Sequence, residues 1–225
     1  MKNKLIYRLT LFLVSLIIST GILTGCSFTL FGIRGDGVFK TESREVTEFS
    51  SISFKSVGKL KVIQNGKESL TIAAEENILP MLESRVSDKT LYISNENKSS
   101  IDPTKPIEFI VEVKNLENLT AKAVGSIEVN GIQGKSLTVS LDGVGNVAIA
   151  GNVDLLDLEL SGVGSFNGAD LRTKEARVRN KGVGSVVVNA SEQLDASASG
   201  IGSIEYIGSP QVKESVKGIG VIKKK

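Results

Sequence analysis

The side chains of this sequence that could carry out acid–base chemistry are a few clustered carboxylates. Asp154, Asp157 and Glu159 lie close together in the chain, and Glu75 directly precedes Glu76. Paired carboxylates can cleave glycosidic bonds, one acting as an acid and the other as a base or nucleophile. The sequence has no histidine, which removes Ser-His-Asp and Cys-His catalysis and most zinc sites.

These carboxylates have an equally direct structural explanation, because basic residues recur at matching offsets in neighbouring segments. No acid/base pair stands out as the centre of a defined pocket. The glycine-rich phrases never complete a dinucleotide-binding fingerprint between a strand and a helix. We therefore predict no catalytic, cofactor-binding or metal-binding residues, and a glycan-processing enzyme is the alternative.

A short sequence motif that is repeated six times indicates the elements that position these side chains. It consists of a small residue, Val or Ile, Gly, a residue that is usually Ser or Asn, and an apolar residue. Its glycine recurs after 20, 19, 20, 18 and 18 residues. A period near twenty, with strand-like sequence between the copies, predicts a solenoid. The copies are residues 123–127, 143–147, 162–166, 182–186, 200–204 and 218–222.

The sequence between the glycine phrases alternates between apolar and polar residues, as in Leu156 to Leu160. Alternation with period two places one face of a strand inside and the other outside. The chain is thus expected to form a parallel β-solenoid with about 18–20 residues per coil. Glycine is expected at each sharp corner, the adjacent Val or Ile should point inward, and the Ser or Asn should form a ladder.

Charged residues at fixed offsets from the glycines predict how the coils align. The predicted register places Arg177 between Asp157 and Asp195, and Glu159 beside Arg179. Asp195 also has Lys213 on its other side. Opposite charges on adjacent strands stabilise a sheet and resist slippage of its register. We predict that these pairs lie within salt-bridge distance; a charged binding strip is the functional alternative.

The chain from Val38 onward also has strand character before the repeats begin. Asn65-Gly66 stands between two apolar segments, a strong signal for a β-hairpin. The segment 75–86 has helix-like spacing, which Pro80 limits to a short or broken helix. We assign residues 38–225 to one β-solenoid domain.

The N-terminus combines basic residues with an apolar run from Leu9 to Ile22, which predicts an export signal over residues 1–25. The sequence Leu23-Thr24-Gly25-Cys26 resembles the lipobox of bacterial lipoproteins, in which the cysteine is acylated. Cys26 is the only cysteine, so the domain can contain no internal disulfide. We predict lipid attachment at Cys26 and a linker over residues 26–37. The alternative is a retained transmembrane anchor.

Several segments resemble the bacterial head-GIN-domain family of lipoproteins, described as heads of autotransporter adhesins. They are residues 44–49, Ile52, Gly58, Gln64, residues 75–80, residues 90–93, residues 113–119 and the Gly-Val-Gly-Ser phrases. The resemblance covers residues 38–222. It implies a right-handed parallel β-solenoid that is exported and often lipid-anchored, and it supplies no functional residues to transfer.

The sequence-based hypothesis is a non-enzymatic lipoprotein of the bacterial cell envelope, held on the outer leaflet or the periplasmic face of a membrane. Its solenoid would bind a glycan, a surface protein or another copy of itself, in adhesion or envelope scaffolding. A net charge of +2 gives no reason to expect nucleic acid as a partner. The alternatives are the glycan-processing enzyme and an envelope sensor or regulator.

Overall fold

The computed structural model describes residues 32–95 and 100–225. A 3₁₀ turn at Leu79–Met81 lies between the fifth and sixth strands. The strands are β1 (Ile33–Arg34), β2 (Phe39–Arg44), β3 (Ser51–Lys55), β4 (Val57–Gln64), β5 (Ser69–Glu75), β6 (Leu82–Ser87), β7 (Thr90–Asn95), β8 (Ile101–Asp102), β9 (Glu108–Val113), β10 (Asn118–Ala121), β11 (Val124–Leu141), β12 (Val144–Leu160), β13 (Val163–Asn180), β14 (Val183–Ala198), β15 (Ile201–Ile207), β16 (Gln211–Val216) and β17 (Ile219–Lys224).

The repeats form the predicted parallel β-solenoid. Each long strand from β11 to β14 makes most of one coil and pairs in parallel with its counterpart in the next coil. The two halves of the following coil, β15 and β16, both pair with β14. Every glycine of the repeated phrase stands beside the equivalent glycine of the adjacent coil, which confirms the predicted register: Gly125, Gly145, Gly164, Gly184, Gly202 and Gly220.

Differences in repeat length are absorbed in the same part of each coil. The register shifts between Val129 and Ile132 in β11 and between Ala148 and Gly151 in β12. In β13 it shifts twice, between Asn167 and Arg172 and between Thr173 and Glu175. These irregularities all follow the first half of the coil. The glycine corners consequently stay aligned although successive repeats differ by one or two residues.

The N-terminal strands close one end of the solenoid with a mixed sheet. Strand β9 lies between β4, to which it is parallel, and β5, to which it is antiparallel. The prediction of a hairpin at Asn65-Gly66 is therefore wrong, because its two strands are separated by β9. The buried face of β9, formed by Phe109, Val111 and Val113, outweighs the local preference for direct pairing.

The segment with helix-like spacing forms only the 3₁₀ turn, after which β6 pairs antiparallel with β7. Pro80 lies within that turn, consistent with the predicted limit on helix length. Ile78, Leu79 and Leu82 are all buried, so tertiary packing uses the apolar residues of this segment without a longer helix.

A continuous apolar core runs through the described coils. Its largest side chains include Phe54 and Phe109, whose rings meet edge to face with centroids 5.1 Å apart. Asn180 is also buried, and its side chain is satisfied by the corner backbone: Nδ2 donates to the Gly184 carbonyl and Oδ1 accepts from the Gly182 amide. An interior polar residue therefore braces a turn at no cost in unpaired groups.

The glycine corners bring backbone atoms of adjacent coils into direct contact. Gly164 has a φ of +152°, and a Cβ there would stand 1.7 Å from the carbonyl oxygen of Gly145. Along the same corner Ser126, Asn146, Ser165, Ser185 and Ser203 are in register, and Ser165 Oγ donates to Asn146 Oδ1 at 2.7 Å.

The prediction that the Val or Ile of each phrase points inward is wrong. Ile127 and Val129 are buried, so strand alternation assigns the inward position at the corner to Gly125 and the outward position to Val124. The narrow corner leaves no room for a side chain inside. The equivalent residues in the other coils are also exposed, namely Val144, Val163, Val183, Ile201 and Ile219.

We expect Gly164→Ala to lower the free energy of unfolding by about 3 kcal/mol or more, because both the backbone conformation and the stacked carbonyl reject a Cβ. Gly134→Ala is the matched control, since the nearest atom to a Cβ there is 3.7 Å away. Chemical denaturation of both variants measures the difference. Equal stabilities would show that the corner tolerates a side chain.

Candidate binding surfaces

The charged columns lie on the outer face of the second half of each coil. Asp157 stands beside Arg177, Arg177 beside Asp195, and Asp195 beside Lys213, as predicted. Two predicted ion pairs form: Lys213 Nζ lies 3.8 Å from Asp195 Oδ2, and Arg179 Nε lies 3.4 Å from Glu159 Oε2. The register derived from charge is therefore confirmed.

The predicted ion pairs of Arg177 are wrong. Arg179 reaches diagonally across the strands, and its Nη2 lies 2.6 Å from Asp157 Oδ1. One guanidinium thus bridges Asp157 and Glu159, since its planar fork can serve two carboxylates. Within residues 32–95 and 100–225, Arg177 takes part in no ion pair.

The candidate acid–base residues are each held by local partners. Asp154 Oδ1 lies 2.8 Å from Lys174 Nζ, and this hydrogen bond raises the pKa of Lys174. Lys181 and Arg179 hold Glu159, and hydrogen bonding to Lys181 is the main cause of the lowered pKa of Glu159. A general acid at neutral pH needs the opposite shift, so Glu159 has the properties of an ion-pair partner.

Glu75 joins two segments of the chain near the closed end of the solenoid. Its carboxylate accepts hydrogen bonds from the Gly37 amide at 2.7 Å and from the Thr104 amide and hydroxyl at 2.9 and 2.6 Å. The Thr104 side chain is the main cause of the lowered pKa of Glu75. Glu76 pairs with Lys40 on the surface. These two carboxylates therefore fasten the N-terminal strands to the domain.

A group of exposed polar residues lies where the register shifts, at a surface we call the polar corner. It is lined by Gln133, Gly134, Asn152, Asp154, Arg172, Lys174, Asn189 and Ser191. Gln133, Asn152 and Arg172 are exposed and in register on three successive coils. In the described part of the chain their side chains make no hydrogen bond or ion pair, so their donors and acceptors are available to a ligand.

The backbone beneath these side chains is fixed by hydrogen bonds. Thr173 is buried and its hydroxyl donates to the Asn189 carbonyl at 2.8 Å. Asn189 Nδ2 donates to the Ala169 carbonyl at 3.1 Å, and Ser191 Oγ donates to the Thr173 carbonyl at 3.2 Å. Among the residues of this corner only Asp154 was a candidate from the sequence, as an acid–base group. The available signal was the variation in repeat length, which had to be absorbed somewhere in each coil.

Other predicted features are placed as follows. Cys26 and the export signal lie outside the described residues. The end of the predicted linker is described, and there Ile33–Arg34 pairs with Ile101–Asp102. Over the described ranges no cluster of three or more His, Cys, Asp or Glu residues could hold a metal ion. Those ranges also contain no helix long and apolar enough to cross a membrane.

Comparison with known proteins assigns the chain to a family. Residues 48–210 match the family described as "Putative auto-transporter adhesin, head GIN domain". The chain belongs to this family, which confirms the resemblance seen in the sequence. No protein of curated function matches the chain.

Two solved structures share the fold. The crystal structure of a "putative adhesin" from Bacteroides fragilis is 29% identical, with a TM-score of 0.73; the match covers 86% of this chain and all of the other. A "putative lipid binding protein" from Parabacteroides distasonis is 22% identical, with a TM-score of 0.56 and coverage of 86% and 99%. At that identity the second likeness concerns the fold alone.

Arg179→Ala is expected to lower the free energy of unfolding by about 0.5–1 kcal/mol, because Asp157 and Glu159 lose a shared, partly exposed partner. Arg177→Ala is the matched control and should have a smaller effect, since it removes a neighbouring arginine without an ion pair. Urea denaturation of both variants tests this assignment. A larger loss for Arg177→Ala would contradict the observed pairing.

Stability is expected to fall in acid. The pKa values of Glu68, Glu75, Glu112 and Glu159 are all lowered from an ordinary value of 4.5 by hydrogen bonds, mainly from Lys114, Thr104, Asn65 and Lys181 respectively. A folded-state pKa below the unfolded value stabilises the fold above the unfolded pKa. That contribution is lost as the pH falls through the folded value.

The melting temperature should therefore depend little on these groups above about pH 5.5 and decrease progressively below about pH 4.5. Glu75→Gln should weaken this decrease, whereas Glu83→Gln, at an exposed position, should leave it unchanged. Thermal unfolding followed by circular dichroism across this range makes the measurement. Identical acid profiles for wild type and Glu75→Gln would show that Glu75 does not contribute.

Proposed function

We propose that this protein is a non-enzymatic adhesin of the bacterial cell envelope that binds a glycan at the polar corner. The observation that carries the proposal is the set of exposed, unengaged side chains of Gln133, Asn152 and Arg172 on successive coils. Amide and guanidinium groups at the strand spacing of about 4.8 Å offer a row of hydrogen-bond donors and acceptors to sugar hydroxyls.

The position of this row within the coil also favours recognition. Binding residues are commonly found at irregular positions held by a rigid scaffold. The polar corner is the irregular part of each coil, and hydrogen bonds from Thr173, Asn189 and Ser191 fix its backbone. The backbone that carries the row is thus already fixed, so only the side chains must be ordered when a ligand binds. The adhesin descriptions of the family and of the B. fragilis structure support the same role.

The proposal excludes turnover for a physical reason. Retaining and inverting glycosidases need one carboxylic acid whose pKa is raised toward neutrality beside a second carboxylate. Here Asp154, Asp157 and Glu159 lie beside Lys174, Arg179 and Lys181, and the pKa of Glu159 is lowered. These groups are suited to holding the coils in register.

Membrane attachment forms the second part of the proposal. Residues 1–25 would be removed as a signal peptide, Cys26 would carry the lipid, and residues 26–37 would connect it to the solenoid domain 38–225. Several acyl chains on Cys26 would hold the protein durably, since a single chain binds a membrane only marginally. The anchored domain would then be presented in the cell envelope.

Labelled bacterial cells that express the full chain, applied to an array of neutral and acidic oligosaccharides, test both parts. Wild-type cells should be retained on a subset of glycans. Asn152→Ala combined with Arg172→Ala should weaken retention by about tenfold or more, because two hydrogen-bonding side chains are lost. Arg177→Ala is the matched control, an exposed arginine outside the polar corner.

Cys26→Ser should remove the protein from the membrane fraction and abolish cell retention, while the released chain should still bind the same glycans. Immunoblotting confirms equal expression. Absence of glycan binding, or equal losses for Arg177→Ala and the double variant, would refute the polar corner as the site. Membrane retention of Cys26→Ser would refute the lipid anchor separately.

A further inference from the structure

A row of exposed aliphatic side chains runs along the glycine corner, on every coil. We call it the valine stripe: Val57, Val124, Val144, Val163, Val183, Ile201 and Ile219. Val57 is half-buried and the other six are exposed, by 51% at Val163 and 75% at Ile219. Seven strands at a spacing of about 4.8 Å give the stripe a length on the order of 30 Å.

The neighbouring residues do not shield this stripe. Glycine follows every stripe residue, and glycine also precedes Val144, Val163, Val183, Ile201 and Ile219. The exposed side chains therefore stand on a nearly bare backbone. A continuous aliphatic surface of this kind, rimmed by polar residues, is typical of a surface that contacts a partner. The core requires glycine at the corner but does not require an aliphatic residue outside it.

We propose that the valine stripe is the interface of an antiparallel, two-fold symmetric dimer of this chain. The stripe is self-complementary, because a two-fold axis through Val163 places Val144 opposite the partner's Val183. The same axis places Val124 opposite the partner's Ile201 and Val57 opposite the partner's Ile219. Equally spaced branched side chains on both copies then meet in matched pairs and exclude water between the two surfaces.

The charges beside the stripe support the antiparallel arrangement. The residue two positions before each stripe residue is exposed, and together these residues form one flank of the stripe. In the antiparallel arrangement this flank faces the same flank of the partner. Asp142, two positions before Val144, would then lie opposite the partner's Lys181, two positions before Val183. The two-fold axis makes this contact twice. A parallel arrangement would instead place Asp142 opposite the partner's Asn146, with no gain in charge pairing.

The charged residues of this flank are available at the surface. Asp142 Oδ2 lies 3.2 Å from Lys122 Nζ, and Lys181 Nζ lies 2.9 Å from Glu159 Oε2. Asp142 and Lys181 can therefore each contact an opposite charge of the partner while keeping the ion pair within their own chain. Neither charge is then buried without a partner. The like-charged Lys55 and Lys217 would meet only at the two ends of the interface. The opposite flank is mostly uncharged near the axis: Ser126, Asn146, Ser165, Ser185 and Ser203.

The size of the surface fits a modest, specific dimer. Covering the stripe and its flanks on both copies buries on the order of 1,000 Å² in total, the lower end of the range for specific interfaces. The stripe is separate from the polar corner in the coil, so dimer formation leaves the proposed glycan site open. Failure of either proposal is thus distinguishable from failure of the other.

Sedimentation equilibrium of the full-length chain in mild detergent, with Cys26→Ser in every sample to equalise acylation, tests the dimer. The protein with an unsubstituted valine stripe should show a monomer–dimer equilibrium. Val163→Asp should raise the dissociation constant by about tenfold or more, because it places two unpaired carboxylates at the axis. Ile110→Asp, at an exposed aliphatic residue outside the stripe, should leave it unchanged.

Charge reversal tests the direction of pairing. Asp142→Lys alone should weaken the dimer. Asp142→Lys combined with Lys181→Asp should recover part of the association, because opposite charges meet again across the axis although each exchanged residue then lies beside a like charge of its own chain. If the double variant associates no more strongly than Asp142→Lys alone, the antiparallel arrangement is overturned. A chain that stays monomeric would overturn the dimer, as would equal effects of Val163→Asp and Ile110→Asp. A monomer whose binding to phosphatidylglycerol vesicles is lost in Val163→Asp would identify a membrane surface as the occupant instead.

Discussion

The close contact between backbone atoms at the stacked glycine corners is the constraint on which the rest of the structure depends. At Gly164 and its equivalents the chain turns so sharply, and the preceding coil lies so near, that a Cβ would overlap a carbonyl oxygen. This contact fixes the register of every parallel pair in the repeats. Once the register is fixed, apolar residues align into one core and charged residues align into columns on the outer face.

The same constraint divides the coil into a rigid part and a variable part. The glycine corner tolerates no change in length or side chain, whereas the register shifts beyond the first half of each coil accept one or two residues more or fewer. Sequence variation without loss of the fold is therefore possible at the polar corner, where the exposed side chains of Gln133, Asn152 and Arg172 make no hydrogen bond or ion pair within the described residues. A solenoid that holds one corner constant and varies another is well suited to recognition, because binding groups can change while the stack that supports them does not.

The carboxylates show how the surroundings that a fold provides determine whether the same residues are suited to acid–base catalysis or to ion pairing. Asp154, Asp157 and Glu159 would be credible catalytic groups in an apolar cleft, where burial raises the pKa of a carboxyl group. On the outer face of this sheet they meet lysine and arginine side chains, and the pKa of Glu159 is lowered. They hold neighbouring coils together, and we expect Arg179 to contribute more than Arg177 because its guanidinium reaches two carboxylates at once.

The sequence by itself determined the parallel solenoid, the length of its coil, the alignment of its glycines and the order of its charge columns, because these follow from local periodicity and from steric limits that recur in every repeat. Only the tertiary structure decided what depends on distant segments or on side-chain reach: the insertion of β9 between β4 and β5, the diagonal contact of Arg179 and the formation of the polar corner. It also reversed the expected direction of Val124, Val144 and Val163, since the narrow corner admits only a glycine inside. Periodicity states which residues alternate, but the space inside a corner determines which of two neighbours faces the solvent.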